Sequence, residues 1–214
     1  MTIVSEYVGV FLQGAVVTIE LTVAGTVLSL ALGIILATIR LYGPGWLKTL
    51  IMGYVEIIRG LPPILQLFII YFGLTQFGVD LDPFTAAIIW LVLYGTGYAV
   101  EIFRAGIEGV HFGQTEAAVA LGMTRFTMMR RIILPQAAVK MLPPLTSFLI
   151  LQLKNTTLVF FVGVADIMYQ ANLGADATSN PGILYPLAAL FYLAMNIPLG
   201  RFGSYLERRA AAYQ

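Results

Sequence analysis

What most constrains this chain is a recurrence of apolar runs about 20 residues long. Five can be drawn: 16–39, 46–74, 84–103, 141–165 and 183–202. At about 1.5 Å rise per residue, a helix over any of them covers a hydrocarbon core about 30 Å thick, tilting where the run is longer. The runs are continuous, without the two-residue alternation of a membrane barrel strand. Only 11% of the 214 residues are charged and 59% are hydrophobic, whereas soluble domains carry about 25% charged residues. The expected fold is an all-α integral membrane protein of five transmembrane helices, one domain over residues 1–214. A semi-polar stretch, Tyr7–Ala15, precedes the first run and is expected at the membrane interface. No basic region precedes that run and no clear cleavage site is present, so it reads as a retained span rather than a secretory signal.

Charge orients the spans. One set of connecting segments holds Arg40, Lys48, Arg125, Arg130, Arg131, Lys140, Arg208 and Arg209. The other holds Glu6, Asp80, Asp82, Asp166 and Asp176 and no lysine or arginine. Basic loops stay on the cytoplasmic side, so the N-terminus is expected outside and the C-terminus in the cytoplasm.

Several chemistries are excluded. The chain has no cysteine, hence no disulfide, thiolate metal site or cysteine nucleophile. Its one histidine, His111, argues against a histidine-rich metal centre and reads as an exposed loop residue. No HExxH or nucleophile–base arrangement lies in the spans, so no residue is given a catalytic or metal-binding role. The net charge of +1 is not gathered on a basic face, which leaves no signal for nucleic acid. A phosphate-cradling GxxxxGK[ST] loop is absent too, so this chain is no ATPase of that type.

Ionisable groups at membrane depth point to function or to pairing. Counted from Lys48, Arg59 lies roughly 16 Å in, near the midplane. Glu56 is one turn away and could neutralise it, while Pro62 and Pro63 break the helix beside it. Lys154, roughly 20 Å from Met141, interrupts the fourth run together with Asn155, Thr156 and Thr157. A lysine there needs a wet cavity, an acidic partner or a route to the interface. Lysine and hydroxyls suit a carboxylate, and, by analogy, interrupted helices build substrate sites in secondary transporters. In the third run Tyr94 and Tyr98 stand one turn apart, followed by Glu101, Arg104 and Glu108 at ion-pair spacings. Gly95 and Gly97 suit close helix contact, and Asn196 suits a hydrogen bond between helices. The substrate-path candidates are Arg59, Glu56, Tyr94, Tyr98, Lys154, Asn155 and Thr156.

The most polar helical stretch lies between the third and fourth runs, within a cytoplasmic segment 111–135. It reads as two short helices: Gln114 or Thr115 caps the first, Gly122 interrupts, and Thr124 caps the second. Pro135 disfavours helix at Leu134 and predicts a turn. The small Ala117–Ala118 pair would let a partner approach closely, with Leu121, Met123, Phe126 and Met129 as apolar anchors. The alternative is an amphipathic connector resting on the inner leaflet.

Glu116-Ala117-Ala118, then Gly122, then Ile132-x-Leu134-Pro135 resembles the EAA signature of ATP-binding-cassette importer permeases. "YVEIIRGLPPILQLFIIYFGL" (54–74), "AVEIFRAGI" (99–107) and "LKNTTLVFFVGVADI" (153–167) look like the polar amino-acid branch of that family. The sequence departs at Leu61, where the branch often has a small or hydroxylated residue, and at Thr157, commonly serine. The resemblance implies a coupling helix with Glu116, Ala117, Ala118, Leu121, Gly122 and Met123 docking on an ATPase. It also implies two cytoplasmic ATPase subunits carrying ATP and Mg, a second permease subunit, identical or homologous, and an external amino-acid-binding protein. The expected location is the bacterial cytoplasmic (inner) membrane, in contact with lipid, with no cofactor on this chain. Arg59 and Lys154 lean weakly toward glutamate or aspartate as substrate. Glu56 and Glu20 could equally balance a cationic amino acid, and glutamine or a cationic substrate is the alternative. An ion-gradient-driven carrier is the distant rival, opposed by the lack of a visible internal repeat.

Overall fold

Residues 3–211 are described by a computed structural model, and every regular element among them is helical. The helices are α1 (Ile3–Tyr42), α2 (Gly45–Gly60), α3 (Pro63–Phe68), α4 (Pro83–Glu108), α5 (Phe112–Ala120), α6 (Arg125–Met128), α7 (Leu134–Asn155), α8 (Ile167–Thr178) and α9 (Pro181–Ala211). Among the described residues, four stretches are each long and apolar enough to cross a membrane: Ile3–Tyr42, Pro83–Glu108, Arg125–Val162 and Pro181–Ala210. A fifth crossing is possible if Gly45–Gly60 and Pro63–Gly73, bent by 110°, act as one broken span.

α1 begins well before residue 16. Tyr7–Ala15, expected at the membrane interface, is part of the same continuous helix as the first run, and its apolar side is occupied. Phe11 is buried with its ring centroid 5.4 Å from Phe191, and a Cβ on Gly14 would come within 2.9 Å of the Asp166 backbone. Further along, Thr18, Leu21, Thr22, Gly25, Thr26, Ser29, Gly33 and Ala37 form one buried stripe at three- and four-residue steps. The opposite side, including Val16, Val23, Val27 and Ile34, is exposed.

Small residues let α1 meet α4. Gly25 packs on Leu91, where an added Cβ would sit 2.9 Å from the Leu91 Cβ, and Gly33 packs on Ala99. Between them Ser29 Oγ reaches the backbone oxygens of Leu91 (3.3 Å) and Val92 (3.2 Å), and Gln152 Nε2 on α7 donates to the same Leu91 oxygen at 3.2 Å. Lipid is as apolar as leucine, so helix association in a membrane depends on such close packing and hydrogen bonding. Trp90, Leu91, Tyr94, Leu21, Leu67 and Val159 form the adjoining core.

The break at "RGLPP" is sharp for a local reason. Leu61 is extended (ψ 143°), as a residue before proline prefers, and Pro63 opens α3. Backbone oxygens freed at the break are not left bare: Gln66 Nε2 donates to Ile58 O at 2.8 Å and to Leu61 O at 3.0 Å. α4 starts on Asp82, whose Oδ1 accepts from Thr85 N at 3.0 Å, with Pro83 in the first turn.

Pro135 does not turn the chain. Leu134 is helical (φ −61°, ψ −40°), and a π-helical turn at Met129–Ile133 precedes it, with Leu134 N bonded to Met129 O. The wider turn accommodates a proline that lacks an N–H, so the helical path runs on into α7. "LKNTTL" likewise tightens the helix without ending it, since α7 passes at Asn155 into a 3₁₀ helix over Thr156–Val162. Gly163 (φ 91°) then turns the chain, and Asp166 caps α8, a short helix that no apolar run announces. α9 continues through Pro186 and Pro198.

Candidate functional site

The cytoplasmic-type segment is built from its ends. His111 caps α5, Nδ1 accepting from Gly113 N at 3.1 Å, one turn before the expected Gln114 or Thr115. At the other end Gly122 N donates to Val119 O (2.9 Å) and Met123 N to Ala118 O (3.0 Å). This double closure needs a left-handed residue, and Gly122 supplies it at φ 69°. Thr124 caps α6 as expected, its Oγ1 accepting from Thr127 N at 3.3 Å. Gln136 Nε2 on α7 donates to Gln114 Oε1 at 3.3 Å, and a cavity of about 520 Å³ lies beneath, between Tyr42, Ile107 and Phe126.

Of the residues singled out here, Glu116, Ala117, Leu121 and Gly122 are exposed, Met123 is half-buried and Ala118 is fully buried. Only Ala117 of the alanine pair therefore faces outward. Around it Phe112, Val119, Leu121 and Phe126 are 70%, 62%, 79% and 75% exposed. Large apolar side chains grouped this way on a polar segment mark an interaction surface.

The second group lies between the long helices. The Arg59 guanidinium stands over the Tyr98 ring, 5.5 Å from its centroid, and Tyr98 and Tyr94 join through their hydroxyls at 3.1 Å. Tyr94 in turn neighbours the Asn155 side chain. An aromatic relay thus connects α2, α4 and the end of α7. Glu56 shares a cavity of about 490 Å³ with Arg59 and Tyr98, yet Arg59 does not take Glu56 as its partner. The ion pairs among the described residues are Arg40–Glu101, Arg104–Glu101 and Arg104–Glu108. Arg59 uses the π face instead, an attraction that leaves its N–H groups available. Lys154 is exposed and outside those ion pairs. Thr156 is buried, its hydroxyl bonded to Leu153 O at 2.7 Å. Neither touches the Arg59–Tyr98 pair through any described bond.

The Glu101–Arg104–Glu108 spacing does form its helix-surface pairs, and the structure adds Arg40, which ties α1 to α4. That cross-helix partner has no local sequence signature. Gly97 faces Ile58 so closely that an added Cβ would come within 2.7 Å of it, in keeping with a close-contact role. Asn196 departs from expectation: its Nδ2 bonds Tyr192 O in its own helix at 2.9 Å. Gln66 and the Gly25–Ser29–Gly33 series are functional-scaffold residues that the sequence reading passes over, although the four-residue spacing of small residues was a usable signal. Among the described residues no group of three or more His, Asp or Glu could hold a metal ion.

A bundle of long apolar helices with charged side chains lining the cavities between them, and a short exposed helix at one end, fits a membrane permease subunit. Residues 29–212 match the family described as the binding-protein-dependent transport system inner membrane component, and the chain belongs to it. It is 37% identical over 212 residues to a probable glutamine ABC transporter permease of Bacillus subtilis (strain 168), covering 98% of this chain and 97% of that one. An arginine transport system permease of the same organism is 37% identical over 204 residues, covering 92% and 91%. The fold is similar to a solved amino acid ABC transporter structure with histidines, at TM-score 0.92 and 34% identity over 98% of this chain and 99% of that chain. The chain is thus a multi-pass inner-membrane protein, a non-catalytic permease subunit of an ATP-binding-cassette amino-acid importer.

Proposed function

We propose that this chain, acting as one transmembrane domain, forms half of the translocation path of an ATP-driven importer for glutamine or a cationic amino acid. It crosses the membrane five times, counting bent α2–α3 as one span, with the N-terminus outside and the C-terminus in the cytoplasm. The segregation of Arg40, Lys48, Arg125, Arg130 and Arg131 from Asp80, Asp82, Asp166 and Asp176 supports that orientation. Two such subunits, identical or homologous, would enclose the path. Two ATPase subunits carrying ATP and Mg would grip the cytoplasmic side, and an external binding protein would deliver the substrate.

The observation that carries this reading is α5 itself: a rigidly closed helix with Glu116, Ala117, Leu121 and Gly122 exposed beside large apolar side chains. Seated in an ATPase groove, it would pass closure of the ATPase pair to α4 and α7. In the path, Arg59 would meet the substrate carboxylate and Glu56 its ammonium group, with Tyr94, Tyr98 and Asn155 lining the way. Lys154 and Thr156 would act farther along. The glutamine and arginine relatives support those substrates over glutamate and aspartate. So does Glu56, which shares the Arg59 cavity and offsets its charge.

The test is co-purification of the tagged chain with its cognate ATPase, with and without Glu116→Arg, followed by uptake of labelled glutamine, arginine and glutamate into vesicles. Loss of the ATPase only in the variant supports the coupling role. Uptake by the chain without any ATPase would replace this reading with a gradient-driven carrier.

A further inference from the structure

A second cavity shares the Arg59–Tyr98 pair with the first. It has a volume of about 300 Å³ and lies between α2, α4 and α7, with Arg59, Tyr98 and Glu101 at one end and Ala105, Gly106 and Lys140 at the other. Arg59, Tyr98 and Glu101 line both cavities, so the two adjoin at the cation–aromatic pair. From Tyr98 to Gly106 the groove follows α4 for roughly 12 Å toward its C-terminal end, where the Lys140 side chain lies beside Gly109.

The charges along this groove are not equivalent. Glu101 is engaged on both oxygens, Oε1 by Arg40 and Oε2 by Arg104 at 2.7 Å. Arg59 and Lys140 take no part in the ion pairs of the described residues. Between them Ile102 and Pro144 give the groove apolar walls, and Ala105 and Gly106 are small, Gly106 being backed by Met141. The groove therefore presents Arg59, outside those ion pairs and held on the Tyr98 ring, at its inner end, an apolar stretch with a small floor, and Lys140, also outside those ion pairs, at its mouth.

We propose that Lys140 is a release-side contact for the substrate carboxylate: the amino acid passes from Arg59 along α4 and is drawn past Tyr98 to Lys140 before it enters the cytoplasm. This rests on the reading of Arg59 as a substrate contact and of the C-terminal end of α4 as cytoplasmic. A flexible ammonium suits the task, since it can follow a moving carboxylate from the mouth of the groove. Entry from outside does not involve Lys140, so its effect falls on turnover and not on half-saturation.

The experiment uses the permease with its cognate ATPase and binding protein in proteoliposomes, with labelled L-glutamine and L-arginine as probes. Lys140→Gln is expected to lower maximal uptake about tenfold, the worth of one charged hydrogen bond, at an unchanged half-saturating concentration. Lys140→Arg, which keeps the charge, is expected to recover most of it. Normal uptake by Lys140→Gln while Arg59→Gln is impaired would overturn the release-side assignment and leave the path through Arg59 standing. Normal uptake by both variants would overturn the path itself. The same comparison in vesicles without anionic lipid separates a lipid anchor: a Lys140→Gln defect that vanishes there overturns the proposal, and one that persists supports it.

Discussion

Gly95 on α4 faces Ser29 on α1 so closely that a methyl group at Gly95 would overlap the serine hydroxyl. The same methyl would come within 2.6 Å of Gln152 Nε2. Ser29 and Gln152 both bond the Leu91 backbone oxygen, so one glycine lets three helices share one acceptor. This seam joins the helix that carries Tyr94 and Tyr98 to α1 and α7.

Gly95→Ala should therefore force α1 and α4 apart and cost about 1–3 kcal/mol, the usual price of overpacking a tight interface. Gly53→Ala is the control, because an added Cβ there meets nothing within 4 Å. Thermal midpoints of the two purified variants in detergent decide the matter. Equal midpoints would show that the seam relaxes without strain.

Gln66→Leu should loosen the bend between α2 and α3. It removes the Nε2 donor from Ile58 O and Leu61 O, and leaving these partly buried acceptors bare costs up to about 1 kcal/mol. The absence of native cysteine allows spin labels at introduced cysteines in place of Trp46 and Phe72. The distance distribution between them should broaden in the leucine variant. An unchanged distribution would mean that the prolines alone hold the 110° bend.

Residues 111–135 are the most legible part of the chain, because their signals are local. Gly122 as a helix stop and Thr124 as a cap need no knowledge of distant residues. Long apolar runs likewise announce long helices, yet they miss where those helices end. The Tyr7–Ala15 stretch looks too polar for a span until Phe191 and Asp166 cover it, and α8 carries no apolar run at all. Pro135 illustrates a different limit: proline disfavours helix at its predecessor, but one π-helical turn satisfies it. The partners of Arg59 and Arg40 lie across helices, at Tyr98 and Glu101. Charge spacing along the chain favours Glu56 for Arg59, and only packing selects the aromatic ring.

Gly122→Val should weaken the grip on the ATPase without unfolding the spans. A β-branched residue in the left-handed region costs at least about 1–2 kcal/mol, while asparagine is tolerated there. Valine should frustrate the double closure after α5 and lower ATPase recovery in co-purification, with Gly122→Asn close to the native chain. Full recovery with valine would show that the end of α5 is not what the ATPase reads.

Asp166 gives the fold a pH-dependent element outside the spans. It is fully buried between α1, α8 and α9, Oδ1 accepting from Tyr169 N at 2.8 Å and Oδ2 from the Tyr192 hydroxyl at 3.0 Å. Burial pushes its carboxyl up to about 6, and the hydrogen bonds only partly oppose that rise. A carboxyl raised above its unfolded value, about 3.9, binds more protons in the folded state between those two limits. Stability from this group is thus complete below about pH 4, falls as the pH rises through 6, and stays lost above. Asp166→Asn removes the titration and keeps an acceptor for the α8 cap. Subtracting the asparagine variant's thermal midpoints from those of the native chain isolates the effect. The native chain should lose ground between about pH 4 and 6 and then run parallel, and a flat difference across that range would mean that Asp166 stays ionised in the fold.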